Sequence, residues 1–177
     1  MTNERVIANY FKSNKNCHSL NVYSTYSDLI NYNTIMVHKE DDIFYVNISY
    51  YSVTTRKIQS YINREIAYRT EKIIYYYGNK YGDNYKDEDS QVKIIEYFDA
   101  TNNSGCGISK IDDEKVTFYN FYYNCISNAI TRTLKTDKEG RIYFSYNKNK
   151  WYLDEIMRKK QEYVLLTNMA TQEKWKL

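Results

Sequence analysis

Asn31-Tyr-Asn-Thr-Ile-Met-Val-His38, then Ile43-Phe-Tyr-Val-Asn47, then Tyr50-Tyr-Ser-Val-Thr-Thr-Arg-Lys-Ile-Gln59 is the stretch whose reading decides the fold. The first two runs are rich in β-branched and aromatic residues and are separated by the charged turn Lys39-Glu-Asp-Asp42. The third places Ser and Thr just before a polar-apolar periodic run. The three read as a β-hairpin leading into a capped helix, a ββα unit. Alternation puts Tyr32, Thr34, Met36 and His38 on one side of the first strand and Asn33, Ile35 and Val37 on the other; Phe44 and Val46 oppose Ile43 and Tyr45 in the second. A helix is expected from Thr54 or Thr55 to about Tyr77, because Ile58, Ile62, Ile66 and Ile73 recur on one face and Gly78-Asn79 is a natural stop.

Upstream, Val6, Ile7, Tyr10 and Phe11 would share one face of a short helix capped at Thr2 or Asn3, and Leu20 to Tyr26 alternates enough for a strand turned by Ser27-Asp28. Downstream, Asn79 to Ser90 carries Gly82, Asp83, Asn84, Asp87, Glu88 and Asp89 and reads as an exposed acidic loop dividing two halves. The second half shows a strand at Val92–Phe98, a turn at Asn102–Gly107, a short strand at Ile108–Ile111, an aromatic strand at Val116–Tyr123 and a helix from about Cys125 to Leu134. Setting Asp41-Asp42 on Asp113-Glu114 also sets Tyr50-Tyr51 on Tyr122-Tyr123, Ile58 on Ile130 and Ile62 on Leu134, by duplication or by layout alone. The chain closes with a strand at Arg141–Tyr146, a loop at Asn147–Lys150 and a helix from Trp151 to about Thr167, with Asp154 and Glu155 in its first turn. The expected fold class is α+β: antiparallel β-hairpins with helices packed on one face of the sheet, in a single domain over residues 1–177. ββα units at 18–78 and 91–136 in tandem, followed by a strand–helix at 137–177, are the layout this spacing offers.

At 177 residues with 42% hydrophobic and 17% aromatic content, the chain can bury a real core and is not globally disordered. Twenty-two tyrosines supply apolar rings with polar tips, suited to half-buried strands and to contact surfaces alike. Zero Pro, five Gly and abundant Asn, Lys, Ile and Tyr match AT-rich codons, which points to an AT-rich bacterium or one of its phages. Cys17, Cys106 and Cys125 are odd in number and lack CxxC spacing, and no signal-peptide pattern opens the chain, so free thiols in a reducing cytoplasm are expected. No apolar run approaches the ~20 residues that cross a bilayer, and no membrane partner is expected.

Residue chemistry narrows the function classes further. His18, His38 and three scattered cysteines offer no zinc spacing, and nothing marks a thiol as activated for pairing with His38. The carboxylate groups at Asp41-Asp42, Asp87-Glu-Asp89 and Asp112-Asp-Glu114 read as solvated turns, and Gly105-Cys-Gly107 is too short for a nucleotide loop. The expectation is therefore no enzyme, no metal and no cofactor. Between Arg132 and Lys160 nine basic residues stand against four acidic ones, with Tyr143, Tyr146, Trp151 and Tyr152 interleaved. Lys148, Lys150, Trp151, Arg158, Lys159 and Lys160 are accordingly the candidates for binding RNA or single-stranded DNA.

Asn31-Tyr-Asn-Thr-Ile, Val46-Asn47 and Tyr51-Ser-Val-Thr-Thr-Arg-Lys-Ile-Gln59 together resemble a small domain of uncharacterised phage and mobile-element proteins: a Tyr-x-Thr strand, a short hairpin and a Tyr-Ser-x-Thr-Thr helix start. The likeness covers about residues 20 to 66; members often carry Gly where Asn33 stands and His near Ile58. It implies a phage or plasmid setting and no particular chemistry. In size and composition the chain is also similar to the staphylococcal-type phage proteins that inhibit CRISPR immunity. The function these likenesses imply is a non-enzymatic phage accessory protein in the host cytoplasm that binds a host protein, a CRISPR effector complex being the partner in view. Its expected contact residues are Tyr75, Tyr76, Tyr77, Tyr81, Tyr85, Asp87, Glu88 and Asp89, tyrosines beside acids that imitate phosphate charge. Nucleic-acid binding through the basic C-terminal residues is the alternative.

Overall fold

The computed structural model of the chain describes residues 1–101 and 104–158, which fall into two units: Met1–Lys93 with Tyr122–Ile126, and Ile94–Phe121 with the described residues from Ser127 onward. In the first unit the order is α1 (Asn3–Ser13), β1 (Cys17–His18), β2 (Val22–Ser24), β3 (Asp28–Asn31), β4 (Thr34–Glu40), β5 (Ile43–Asn47), α2 (Val53–Ile66) and β6 (Lys72–Tyr76). The strands form one sheet in sequence order, antiparallel up to β5. β6 then joins β5 in parallel after the α2 crossover, as a parallel neighbour requires.

Each element has a local cause. The Thr2 side chain accepts the Arg5 N–H and starts α1, which buries Val6, Ile7, Tyr10 and Phe11. Asp41 takes a left-handed turn conformation (φ 51°) between β4 and β5, within the charged run expected to turn there. Ser52 caps α2 by accepting the Thr55 N–H at 3.2 Å, and Ile58, Ile62 and Ile66 are buried beneath it. Burying each such side chain stabilises the fold by ~1.5–3 kcal/mol. Phe11 of α1 packs on Phe44 of β5 with ring centroids 5.3 Å apart, so the helices cover the Phe44 and Val46 side of the sheet.

The structure corrects the helix expected to reach Tyr77. α2 stops at Ile66, where Asn124 Nδ2 donates to the Ile66 and Arg69 carbonyls at 3.1 and 2.7 Å. Lys72-Ile-Ile-Tyr-Tyr76 is a strand instead, because Ile and Tyr suit a surface packed on both faces. Tyr75 is buried on one face and Tyr76 on the other.

The second unit contains β7 (Glu96–Thr101), β8 (Ser104–Ile111), β9 (Lys115–Tyr122, its last residue grouped with the first unit), β11 (Ile130–Thr133), β12 (Lys135–Thr136), β13 (Ile142–Tyr146) and β14 (Asn149–Tyr152); β10 (Cys125–Ile126) belongs with the first unit. β7, β8 and β9 form a meander with β11 on β9, and β12–β13–β14 form a three-stranded sheet. Phe98, Ile108, Val116, Phe118, Phe144 and Ile156 make the core. The helix expected over 125–134 is absent: Ile130-Thr-Arg-Thr133 pairs with β9, with Thr131 opposite Thr117. An apolar i, i+4 pair such as Ile130 and Leu134 lies on one face of a strand as well as of a helix, and the β-branched residues between them select the strand. A second ββα unit is therefore not formed here. Ser104–Gly107, expected as turn, lies within β8; a Cβ at Gly107 would sit 2.8 Å from the Phe121 ring and 2.9 Å from Ile94. Trp151 and Tyr152, expected in the last helix, belong to β14, and helix occupies 153–158. The remainder of that expected helix lies outside the described residues.

Candidate functional site

Among the expected contact residues, Tyr75 and Tyr76 are buried, and Tyr76 donates to the Gly82 carbonyl at 2.6 Å. Their rings are core and cannot reach a partner in this fold. Tyr77 and Tyr81 are exposed by 42% and 52%, and Asp87, Glu88 and Asp89 are exposed. Tyr85 is half-buried: its ring stacks on His38 with centroids 4.1 Å apart and lies 5.3 Å from Tyr45.

The loop from 77 to 90 lies on the sheet face opposite the helices, and its own side chains fix its backbone. Asn79 Oδ1 accepts the Tyr81 and Gly82 N–H groups, and Asn84 Nδ2 donates to the Tyr77 carbonyl and to Ser90 Oγ. Asp87 accepts from the Asp89 N–H and Ser90 Oγ. Onto the sheet, Ile35 N–H donates to the Tyr81 carbonyl and Thr34 Oγ1 to the Lys80 carbonyl, both at 2.8 Å. Lys86 pairs with Glu40 at 2.8 Å, a contact that lowers the Glu40 carboxyl below its ordinary range. The segment expected as an exposed acidic loop is thus braced by its own side chains and by the sheet.

Beneath it, Asn47 is fully buried. Its Nδ2 donates to the Ile35 carbonyl and Tyr51 Oη at 2.9 and 3.0 Å, and its Oδ1 accepts from the Ser49 and Gly78 N–H groups at 3.0 and 3.2 Å. Tyr51 Oη donates to the Gly78 carbonyl, and Gln59 Nε2 donates to the Asn47 and Ser49 carbonyls. Asn47, Tyr51 and Gln59 of the resemblance motif are therefore occupied by hydrogen bonds within the fold and Ser52 by the α2 cap, while Arg56 and Lys57 remain exposed.

His38, weighed from the sequence only as a zinc ligand or a thiol's partner, is half-buried and stacks on Tyr85 of this loop. Its Nδ1 lies 2.7 Å from Asp28 Oδ1, an orienting pair familiar from general-base sites. A Tyr, not a nucleophile, occupies the ring face. Cys125 Sγ donates to the Asn63 carbonyl at 3.0 Å and Cys106 Sγ to Asn120 Oδ1 at 2.8 Å. Burial, assisted by Asp99, pushes the Cys106 thiol up to about 11, so its thiolate forms at higher pH than that of a free cysteine. Alkylation of native Cys106, followed by peptide mass spectrometry, is expected to stay slow at pH 8 and to accelerate as the pH approaches 11. Fast modification at pH 7 would reinstate a cysteine nucleophile.

Acidic turns have local structural work: Asp112 Oδ1 accepts the Glu114 and Lys115 N–H groups, which lowers its carboxyl, and Asp137 does the same for Glu139 and Arg141. Among the described residues no three His, Cys, Asp or Glu side chains are grouped to hold a metal ion. Nor is any described helix long and apolar enough to cross a membrane.

For the basic set, Lys148, Lys150 and Arg158 are exposed, and Lys159 and Lys160 lie outside the described residues. Trp151 faces inward, its ring 5.1 Å from Phe98 and its Nε1 donating to the Tyr146 carbonyl. Tyr143 and Tyr152 are half-buried neighbours on the outer face of the same sheet. No protein-family model, curated protein or solved structure matches this chain.

Proposed function

We propose that this protein is a non-enzymatic, phage-encoded accessory protein that inhibits a host defence complex, in the manner of anti-CRISPR proteins, and that its 77–90 loop makes the contact. The observation that supports this reading is the braced loop itself: its backbone is fixed by Asn79, Asn84 and Asp87 while Tyr77, Tyr81, Glu88 and Asp89 stay exposed. A pre-formed loop avoids the backbone-ordering cost of association, about 1–2 kcal/mol for each residue already held in place. Asp83, Asp87, Glu88 and Asp89 outnumber Lys80 and Lys86, and this surplus beside exposed tyrosines complements a basic groove built for nucleic acid.

The test is retention of a nucleic-acid-binding complex from host lysate on the tagged protein, with displacement by a short oligonucleotide. Tyr81→Ala combined with Glu88→Lys and Asp89→Lys is expected to reduce retention by about tenfold or more. Asp87 is left intact because it holds the turn. Equal retention by wild type and variant, or no displacement by the oligonucleotide, would refute the reading.

A further inference from the structure

The β12–β13–β14 sheet has two unlike faces. Phe144 and Trp151 pair across β13 and β14 and point into the aromatic core. One residue over, Lys135, Tyr143 and Tyr152 share a row on the opposite face, with Ser145 and Lys150 in the next. The side chains on that outer face form a line of cation, ring, ring, cation. The Arg141 guanidinium stands 4.0 Å from the Tyr152 ring, the Tyr152 and Tyr143 centroids are 5.4 Å apart, and Lys150 Nζ is 4.9 Å from the Tyr143 ring.

The ends of this line differ in charge. Arg141 is bound bidentately by Asp154 at 3.1 Å and by Glu155 at 2.8 Å, so its charge is answered within the fold. Lys135 and Lys150 on this face, and Lys148 in the turn between β13 and β14, are exposed and enter none of the ion pairs found among the described residues.

We infer that this face binds single-stranded nucleic acid, with bases stacking on Tyr143 and Tyr152 and phosphates meeting Lys135, Lys148 and Lys150. Flat rings between ammonium groups suit a polymer that alternates flat bases with negative charge. A duplex hides its base faces, and an acidic polypeptide would use the lysines while ignoring the rings. The inference does not depend on the loop proposed above, which lies in the other unit.

The test is fluorescence anisotropy of the full chain with labelled 12-nucleotide DNA and RNA between 50 and 200 mM salt. Saturable binding is expected, with log K against log salt falling at a slope of about −2, from three phosphate contacts at about 0.7 each. Tyr143→Ala should weaken binding roughly tenfold with the slope unchanged, and Tyr143→Phe should restore it. Lys150→Gln should make the slope shallower by about 0.7. Tyr81→Ala, in the loop, should change nothing, so the two proposals can fail separately. No saturable binding at 50 mM salt overturns the inference. So does binding that is indifferent to Tyr143→Ala and displaced equally by polyglutamate, which would assign the face to acidic polypeptides.

Discussion

Replacing Gly82 with alanine is expected to lower the thermal midpoint of the first unit by about 10 °C or more, at ~4–8 °C per kcal/mol for a unit of this size. Three effects add. Gly82 has φ +68°, a left-handed conformation that costs an L-residue with a Cβ ~1–2 kcal/mol. The added Cβ would lie 2.2 Å from the Ile35 carbonyl oxygen, which is backbone in the middle of the sheet and cannot swing aside. Relief requires the loop to lift, breaking the Tyr76 Oη bond to the Gly82 carbonyl and loosening Asn47, whose Nδ2 is 2.9 Å from the same Cβ position. Leaving such buried groups unpaired costs ~1–3 kcal/mol each. Gly140→Ala is the internal control: it shares the left-handed φ at +82°, yet nothing lies within 4 Å of its Cβ position. Calorimetry should therefore rank Gly82→Ala well above Gly140→Ala. Equal shifts would mean that φ alone, and not the seat of the loop on the sheet, sets the cost.

What could be read in the sequence was whatever a short window determines. The β4–β5 hairpin, the Ser/Thr start of α2 and the four buried residues of α1 follow from turn charge, capping chemistry and periodicity, all local. The overrun of α2 had a visible warning: after Ile58, Ile62 and Ile66 the next positions on that face fall at Arg69 and Thr70, and Ile73 resumes in strand rhythm. Residues 125–134 were ambiguous in principle, since a four-residue apolar spacing satisfies both periods and no cap decides between them. Partners brought together by strand pairing could not be read from one strand. Asp28 meets His38 only because β3 and β4 pair in that register, and Tyr143 meets Tyr152 only because β13 and β14 do. Tyr75-Tyr76-Tyr77 looked like one aromatic surface, but a strand sends successive rings to opposite faces. Two of the three were consumed by the core.

Phe118→Ala should have an effect of similar size in the second unit. The Phe118 ring is fully buried and meets Phe98, Phe144 and Tyr146 at centroid distances of 5.2, 5.5 and 4.9 Å. Its removal leaves a hole at the junction of the β7–β9 meander and the β13–β14 hairpin, and deleting a buried ring costs ~3–5 kcal/mol. Since a domain's whole stability is ~5–15 kcal/mol, the unit should be partly unfolded at physiological temperature. Hydrogen exchange should show lost protection across β8, β9 and β13, while Phe118→Leu, which retains most of the volume, keeps it. The outer face must follow the core, because Tyr143 and Tyr152 are held in line by Phe144 and Trp151 on the reverse of the same strands. Oligonucleotide binding is accordingly expected to fall in Phe118→Ala and to survive in Phe118→Leu. Full binding in an unprotected Phe118→Ala chain would show that scattered lysines, rather than an ordered row of rings, account for any affinity measured.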